Sequence, residues 1–153
     1  VAVARLEGKY SMSGVITKAV GVPGERAGQP LQRLWMFTPQ CEEGACAVIQ
    51  LRRERVSGVD KIRLESRGGG RYTGVGTFTA PQRCHGRTYR RGARVPFTIS
   101  VQIIAAGEFG PLVQATQILA TYRNRKRINL TRCVPAPSYD SASYGGVHIP
   151  VGT

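Results

Sequence analysis

The sequence has no run of eighteen apolar residues, which excludes a membrane-crossing helix. Its first ten residues, VAVARLEGKY, lack both the basic start and the long apolar centre of a signal peptide, so any export signal or lipid anchor is expected to lie outside this chain. Chemistry-bearing side chains are scarce. The two histidines, His85 and His148, adjoin no Gly-x-Ser-x-Gly or other nucleophile motif. Nine acids are few for paired-carboxylate catalysis: Glu42 and Glu43 sit side by side in a cysteine-bounded turn, and Glu7, Glu108 and Asp140 fall near expected strand or tail ends. The expectation is a protein that is not an enzyme and needs no cofactor. A helix of ordinary length also has almost no place to form, because the best candidate, 112–123, fits a strand about as well, entered through a Gly110-Pro111 turn.

What is present starts with cysteine. The 153 residues suit one domain with one core, and Cys41, Cys46, Cys84 and Cys133 form an even set within it. Such a set suits an oxidising compartment, so the protein is expected to be extracellular or on the cell surface. Of three possible pairings, Cys41–Cys46 with Cys84–Cys133 is preferred, because Gly44 lets the first segment turn tightly and the other two are left as partners. In the chain-entropy description the short loop contributes roughly 2 kcal/mol and the long one roughly 4 kcal/mol. Structural zinc needs four ligands and usually closer cysteine pairs, which Cys-x4-Cys with His85 beside Cys84 does not supply, so no metal is expected.

Apolar residues recur with period two. In PFTISVQII, Phe97, Ile99, Val101 and Ile103 share one face, while Thr98, Ser100 and Gln102 share the other. KIRLES places Ile62 and Leu64 inward, and AVIQLRRE places Ala47, Ile49 and Leu51 on one side. EGKYSMSGVITKAV, RLWMFT, GRYTGVGTF, GPLVQATQILATYR and GGVHIPV complete the set, separated by turn-rich stretches such as VPGERAGQP, RVSGVD, SRGGG and AAGEFGP. This predicts an all-β fold: a single antiparallel, up-and-down, calycin-like β-barrel of about seven or eight strands, with a two-sheet sandwich as the alternative. Gly74 and Gly76 share a face with Tyr72 and Phe78, where they either permit the curvature closure needs or make room for Trp35. The barrel is assigned to 1–134, and the Ser-, Pro- and Gly-rich segment 135–153 is expected to be an extended tail packed on it through Tyr139, Tyr144, Val147, Ile149 and Val151.

The stretch LWMFTPQCEEGACAVIQLRR combines these signals. Trp35 and Phe37 share a face, Pro39 ends the strand, Cys41–Cys46 bridges the connection, and a new strand starts at Ala47, so the staple fixes a register that a one-residue slip would invert. With EGKYSMSGVITKA, GGGRYTGVGTF, ILATYRN and the late Cys133, this motif resembles small secreted β-rich domains of actinobacteria. Those domains occur alone, as predicted lipoproteins, or as extracellular regions of bacterial serine/threonine protein kinases. The resemblance covers about three quarters of the chain and implies an extracytoplasmic, disulfide-stapled, all-β domain with no catalytic residues to carry over. The chain departs from such domains in its arginine content.

Lysine and arginine total 22 against nine acids, a formal net charge of +13, and eighteen of the 22 are arginine. Arg52, Arg53 and Arg55 form one cluster; RCHGRTYRRGAR and RNRKRINLTR form two more, which a Cys84–Cys133 bridge would hold together. The leading expectation is therefore an anion-binding face of Arg83, Arg87, Arg90, Arg91, Arg123, Arg125, Lys126 and Arg127 that engages an anionic cell-envelope polymer or lipid headgroups, in a salt-dependent way. Tyr89 and Tyr122 are placed to stack on a ligand, but no nucleic-acid-binding motif accompanies the charge. The alternative is a small-molecule carrier with Tyr10, Met12, Ile16, Trp35, Phe37, Tyr72 and Phe78 lining a cavity, and one of Gln114 and Gln117 facing inward. A purely structural extracellular domain is the third reading.

Overall fold

In the computed structural model, which describes residues 3–55 and 58–151, the alternating stretches are β-strands, and there is no helix among the described residues. Seven strands follow in order: β1 (Gly8–Val20), β2 (Pro30–Pro39), β3 (Val48–Arg55), β4 (Gly58–Gly68), β5 (Arg71–Cys84), β6 (Arg87–Phe109) and β7 (Leu112–Asn124). Each pairs antiparallel with the next. A two-residue strand, β8 (Ile128–Asn129), adds to the outer end of β6, and β9 (Tyr139–His148) lies between β7 and β1. The result is a closed eight-stranded antiparallel barrel with one extra strand, and closure excludes the sandwich.

The segment from 135 is thus more than a tail laid on a finished barrel. Ten of its residues form β9, hydrogen-bonded on both sides, so the barrel does not end at 134. Tyr144 and Ala142 of this strand face the core.

Side chains in phase with the predicted inward sets fill the lower lumen. Tyr10, Met12, Trp35, Phe37, Ile49, Leu51, Ile62, Leu64 and Ile99 are fully buried, each large apolar side chain contributing about 1.5–3 kcal/mol on removal from water. Gly76 makes room for Phe97 rather than for Trp35, since a Cβ there would stand 2.5 Å from the Phe97 ring. At Gly74 the β4 backbone itself comes close, with the carbonyl of Arg63 2.5 Å from a Cβ position. Among the described residues, β4 and β5 pair from Glu65 to Gly68 and from Arg71 to Thr73.

One end of the barrel is plugged. Ala4 and Leu6 are buried there, and the backbone of Arg5 bonds to Val113 and Ala115. The Arg5 guanidinium donates to the carbonyls of Cys41 (2.9 Å) and Gly44 (3.3 Å), and Tyr72 donates its hydroxyl to the carbonyl of Cys46 (3.2 Å). The Cys41–Cys46 disulfide therefore belongs to the closed end. Gln114 is the inward glutamine, donating to Tyr10 Oη (2.9 Å) and to the carbonyl of Glu7 (3.0 Å), while Gln117 is exposed. Its amide is satisfied by the protein itself.

Candidate functional site in the open mouth of the barrel

The opposite end is formed by the C-terminal ends of β1, β3, β5 and β7 and the starts of β2, β4, β6 and β9. The inward alternation continues toward this end, but the side chains change from apolar to charged. Arg33 is in phase with Trp35 and Phe37, Arg53 and Arg55 with Ile49 and Leu51, and Asp60 with Ile62 and Leu64. A charge pointed into a barrel needs a partner. Arg53 finds one in Asp60, with Nε at 3.2 Å and Nη2 at 2.7 Å from Oδ2, and Arg55 Nε reaches the same oxygen at 2.9 Å. The Arg53 guanidinium also lies 4.7 Å from the Phe97 ring centroid and 4.8 Å from that of Tyr122, and Arg55 lies 4.0 Å over Phe78. These cation–π contacts extend the floor that the ion pair begins.

Above that floor is an open cavity of about 390 Å³, within the range of small-molecule sites. Phe78, Tyr122 and Tyr144 supply aromatic wall; Arg33, Arg53, Arg55 and Arg127 supply positive charge; Glu25 and Asp140 supply carboxyl groups. Arg127 Nη2 donates to Asp140 Oδ2 at 3.2 Å, both side chains buried. Arg33 has no acidic partner among the described residues, its guanidinium bonding only the carbonyl of Gln32 at 2.8 Å. Buried polar atoms without a protein partner gather here: Glu25 Oε1, Tyr122 Oη, Arg127 Nε and Asp140 Oδ1. Burial, with the neighbouring Asp140 charge, pushes the Tyr122 phenol above its ordinary range.

The expected cavity lining is corrected. Tyr10, Met12, Trp35, Phe37 and Tyr72 are packed core beneath the floor, and of that block only Phe78 lines the cavity; Ile16 does as well. The expected anion-binding residues divide. Arg83, Arg87, Arg90, Arg91, Arg123, Arg125 and Lys126 are exposed, but Arg127 is buried and paired to Asp140. Tyr122 faces the lumen and is no surface stacking platform, and the Tyr89 ring is covered by Arg87 at 4.9 Å.

The Cys84–Cys133 disulfide does join the two arginine-rich segments, at the rim of the mouth. Between Cys84 and Arg87, His85 (φ 51°) and Gly86 (φ 79°) are both left-handed, as a two-residue type I′ hairpin turn requires. Cys84, His85 and Cys133 offer ligand-type atoms within 4.8 Å, but both sulfurs are consumed in the disulfide. Asn129 closes the adjacent turn, donating to the carbonyls of Thr131 and Cys133. Exposed acids lie mostly at the other end of the barrel: Glu7, Glu42, Glu43, Glu65 and Glu108 are there, with Glu54 the exposed acid nearest the mouth. The rim therefore carries a strong positive field.

Comparison of the chain with protein-family models, with curated proteins and with solved structures gives no match in any of the three. Fold and site together define an eight-stranded up-and-down barrel with one plugged end and one open, arginine-lined mouth. Its two disulfides fit an oxidising environment, and no helix among the described residues is long and apolar enough to cross a membrane.

Proposed function

We propose that this chain is an exported, extracytoplasmic binding module that takes a small anionic ligand into the mouth of the barrel, and that it acts by binding rather than by catalysis. The observation that carries the reading is the composition of the cavity: four arginines and three aromatic rings around about 390 Å³, with Arg33 left without an acidic partner among the described residues. Arginine in a partly desolvated pocket favours carboxylate, sulfonate or phosphate, and the aromatic wall favours an apolar body attached to it. The exposed rim arginines raise the local concentration of such an anion, which is the steering role left to the surface cluster. The resemblance of the cysteine-bounded motif to secreted actinobacterial domains supports the extracytoplasmic part of this reading.

The test uses two fluorescent probes that differ by one anionic group, 8-anilinonaphthalene-1-sulfonate (ANS) and neutral N-phenyl-1-naphthylamine. ANS is expected to bind at one site and the neutral probe much more weakly, with Arg33→Ala removing most of the preference. Equal binding of both probes, or binding of neither, overturns the reading.

A second reading is favoured by one observation, the disulfide that places both arginine-rich segments at one rim. In that reading the rim docks on an anionic envelope polymer or on lipid headgroups. Binding to polyphosphate or anionic vesicles that is lost at moderate salt, and that survives Arg33→Ala, identifies it.

A further inference from the structure

The loop at 21–29, between β1 and β2, lines the mouth with Val22, Pro23, Gly24, Glu25 and Gln29. Its backbone bonds stay local: Glu25 N to Val22 O (3.2 Å), Gln29 N to Arg26 O (3.2 Å), and two bonds to Ile16 at its base. The Glu25 side chain shares this cavity with that of Asp140 on β9. Glu25 Oε1 and Asp140 Oδ1 are both buried and have no protein donor. Two carboxylate oxygens accept and do not donate, so the two carboxyls can bond one another when one of them holds a proton. That proton belongs on Glu25, since the Arg127 guanidinium bonds Asp140 and not Glu25.

We propose that the mouth captures its anion together with a proton held between Glu25 and Asp140, so that binding is coupled to proton uptake and the anion is released when the pair ionises. This rests on the reading of the mouth as an anion site. The coupling follows from the charges that face Glu25. Arg33 comes from β2, Arg53 and Arg55 from β3, Arg127 from the segment after β7, Asp140 and Tyr144 from β9, and Tyr122 from β7; Asp60 of β4 lies behind Arg53. With the proton in place, four arginines face two carboxylates; without it they face three. Burial raises both tyrosines further from neutrality. Burial, and then the contact with Asp140, push the Glu25 carboxyl up to about 7, so the pair changes charge in the physiological range. By linkage, an anion that prefers the protonated pair raises its proton affinity in return.

The test measures ANS affinity from about pH 5.5 to about pH 8.5 at constant ionic strength, since the sulfonate stays ionised throughout. Affinity is expected to fall roughly tenfold across this range, centred near neutrality, for a new like charge beside the ligand. Glu25→Gln is expected to bind tightly and without that dependence; it also separates the pair from His85, which lies on the β5–β6 turn outside the cavity lining. Absence of ANS binding at every pH overturns the mouth reading and this proposal with it. Binding that ignores pH, a dependence that survives Glu25→Gln, or a Glu25 carboxyl carbon that titrates in the ordinary carboxylate range by 13C NMR, overturns the coupling alone.

Discussion

Arg53 of β3 reaches across the lumen to Tyr122 of β7, its guanidinium carbon 4.8 Å from the ring centroid. β3 and β7 are four strands apart in a ring of eight, so these residues come from opposite walls. Bonded at the same time to Asp60, Arg53 divides the barrel into an apolar half below and a charged cavity above. A fixed cation at that height marks where core ends and site begins.

Removing its counter-ion is expected to be costly. Asp60→Ala leaves Arg53 buried without a carboxylate, and loss of one partner from a buried pair costs about 3–5 kcal/mol. A urea midpoint reports it. The double replacement Arg53→Met with Asp60→Leu is expected to recover most of the stability, because it removes the desolvation cost of both charges, while ANS binding weakens.

Gly76→Ala is expected to destabilise by about 1–3 kcal/mol through overpacking. The added Cβ would lie 2.5 Å from Cζ of Phe97. That ring is packed against Phe78 at 5.7 Å, Tyr122 at 5.4 Å and Arg53 at 4.7 Å, so moving it disturbs all three. Thermal denaturation of the variant checks the sign and size.

The two disulfides are expected to differ in worth and in consequence. Replacing Cys84 and Cys133 by serine opens a separation of 49 residues and costs about 4 kcal/mol, against about 2 kcal/mol for Cys41 and Cys46. Denaturant midpoints measure both. The first pair also ties the β5–β6 turn to the segment before β9, so its loss is expected to flatten the salt dependence of anion binding; the second pair lies at the plugged end and leaves it unchanged.

Stability is expected to fall as pH rises from about 4.5, the ordinary value for Glu25, to about 7, and then to level off. In this window the folded state holds a proton on Glu25 that the unfolded chain has released, so rising pH favours unfolding. Glu25→Gln removes this contribution and is expected to gain stability relative to the natural chain as pH passes 7. Denaturant titrations of both proteins at several pH values decide it.

Much of this molecule was legible in its residues. Period-two alternation located the strands and their inward faces, and the pairing of Cys41 with Cys46 and Cys84 with Cys133 stands as expected. The mouth was legible only in part. Arg33, Arg53 and Asp60 continue the inward phase of Trp35, Leu51 and Ile62, a signal present in the alternation but masked by treating arginine as a surface residue. Arg127 carried no such signal, because RNRKRINLTR has no period. The closing strand was hard to read for another reason: Asp140, Ala142 and Gly146 are small or charged, and pairing with β1 and β7 rather than propensity makes them strand.

Expected lining residues such as Trp35 and Tyr72 point inward as predicted yet sit in the floor, since alternation reports the face of a strand and not the height along the barrel. By itself, then, the sequence determined an all-β, doubly stapled chain with a basic surface, because side-chain period and cysteine number are properties of local order along the chain. Only the tertiary structure decided which end is open and which charges remain uncancelled. Those depend on distances between strands remote in sequence, as between Arg127 and Asp140 or Arg53 and Tyr122, and closure of the barrel alone sets them.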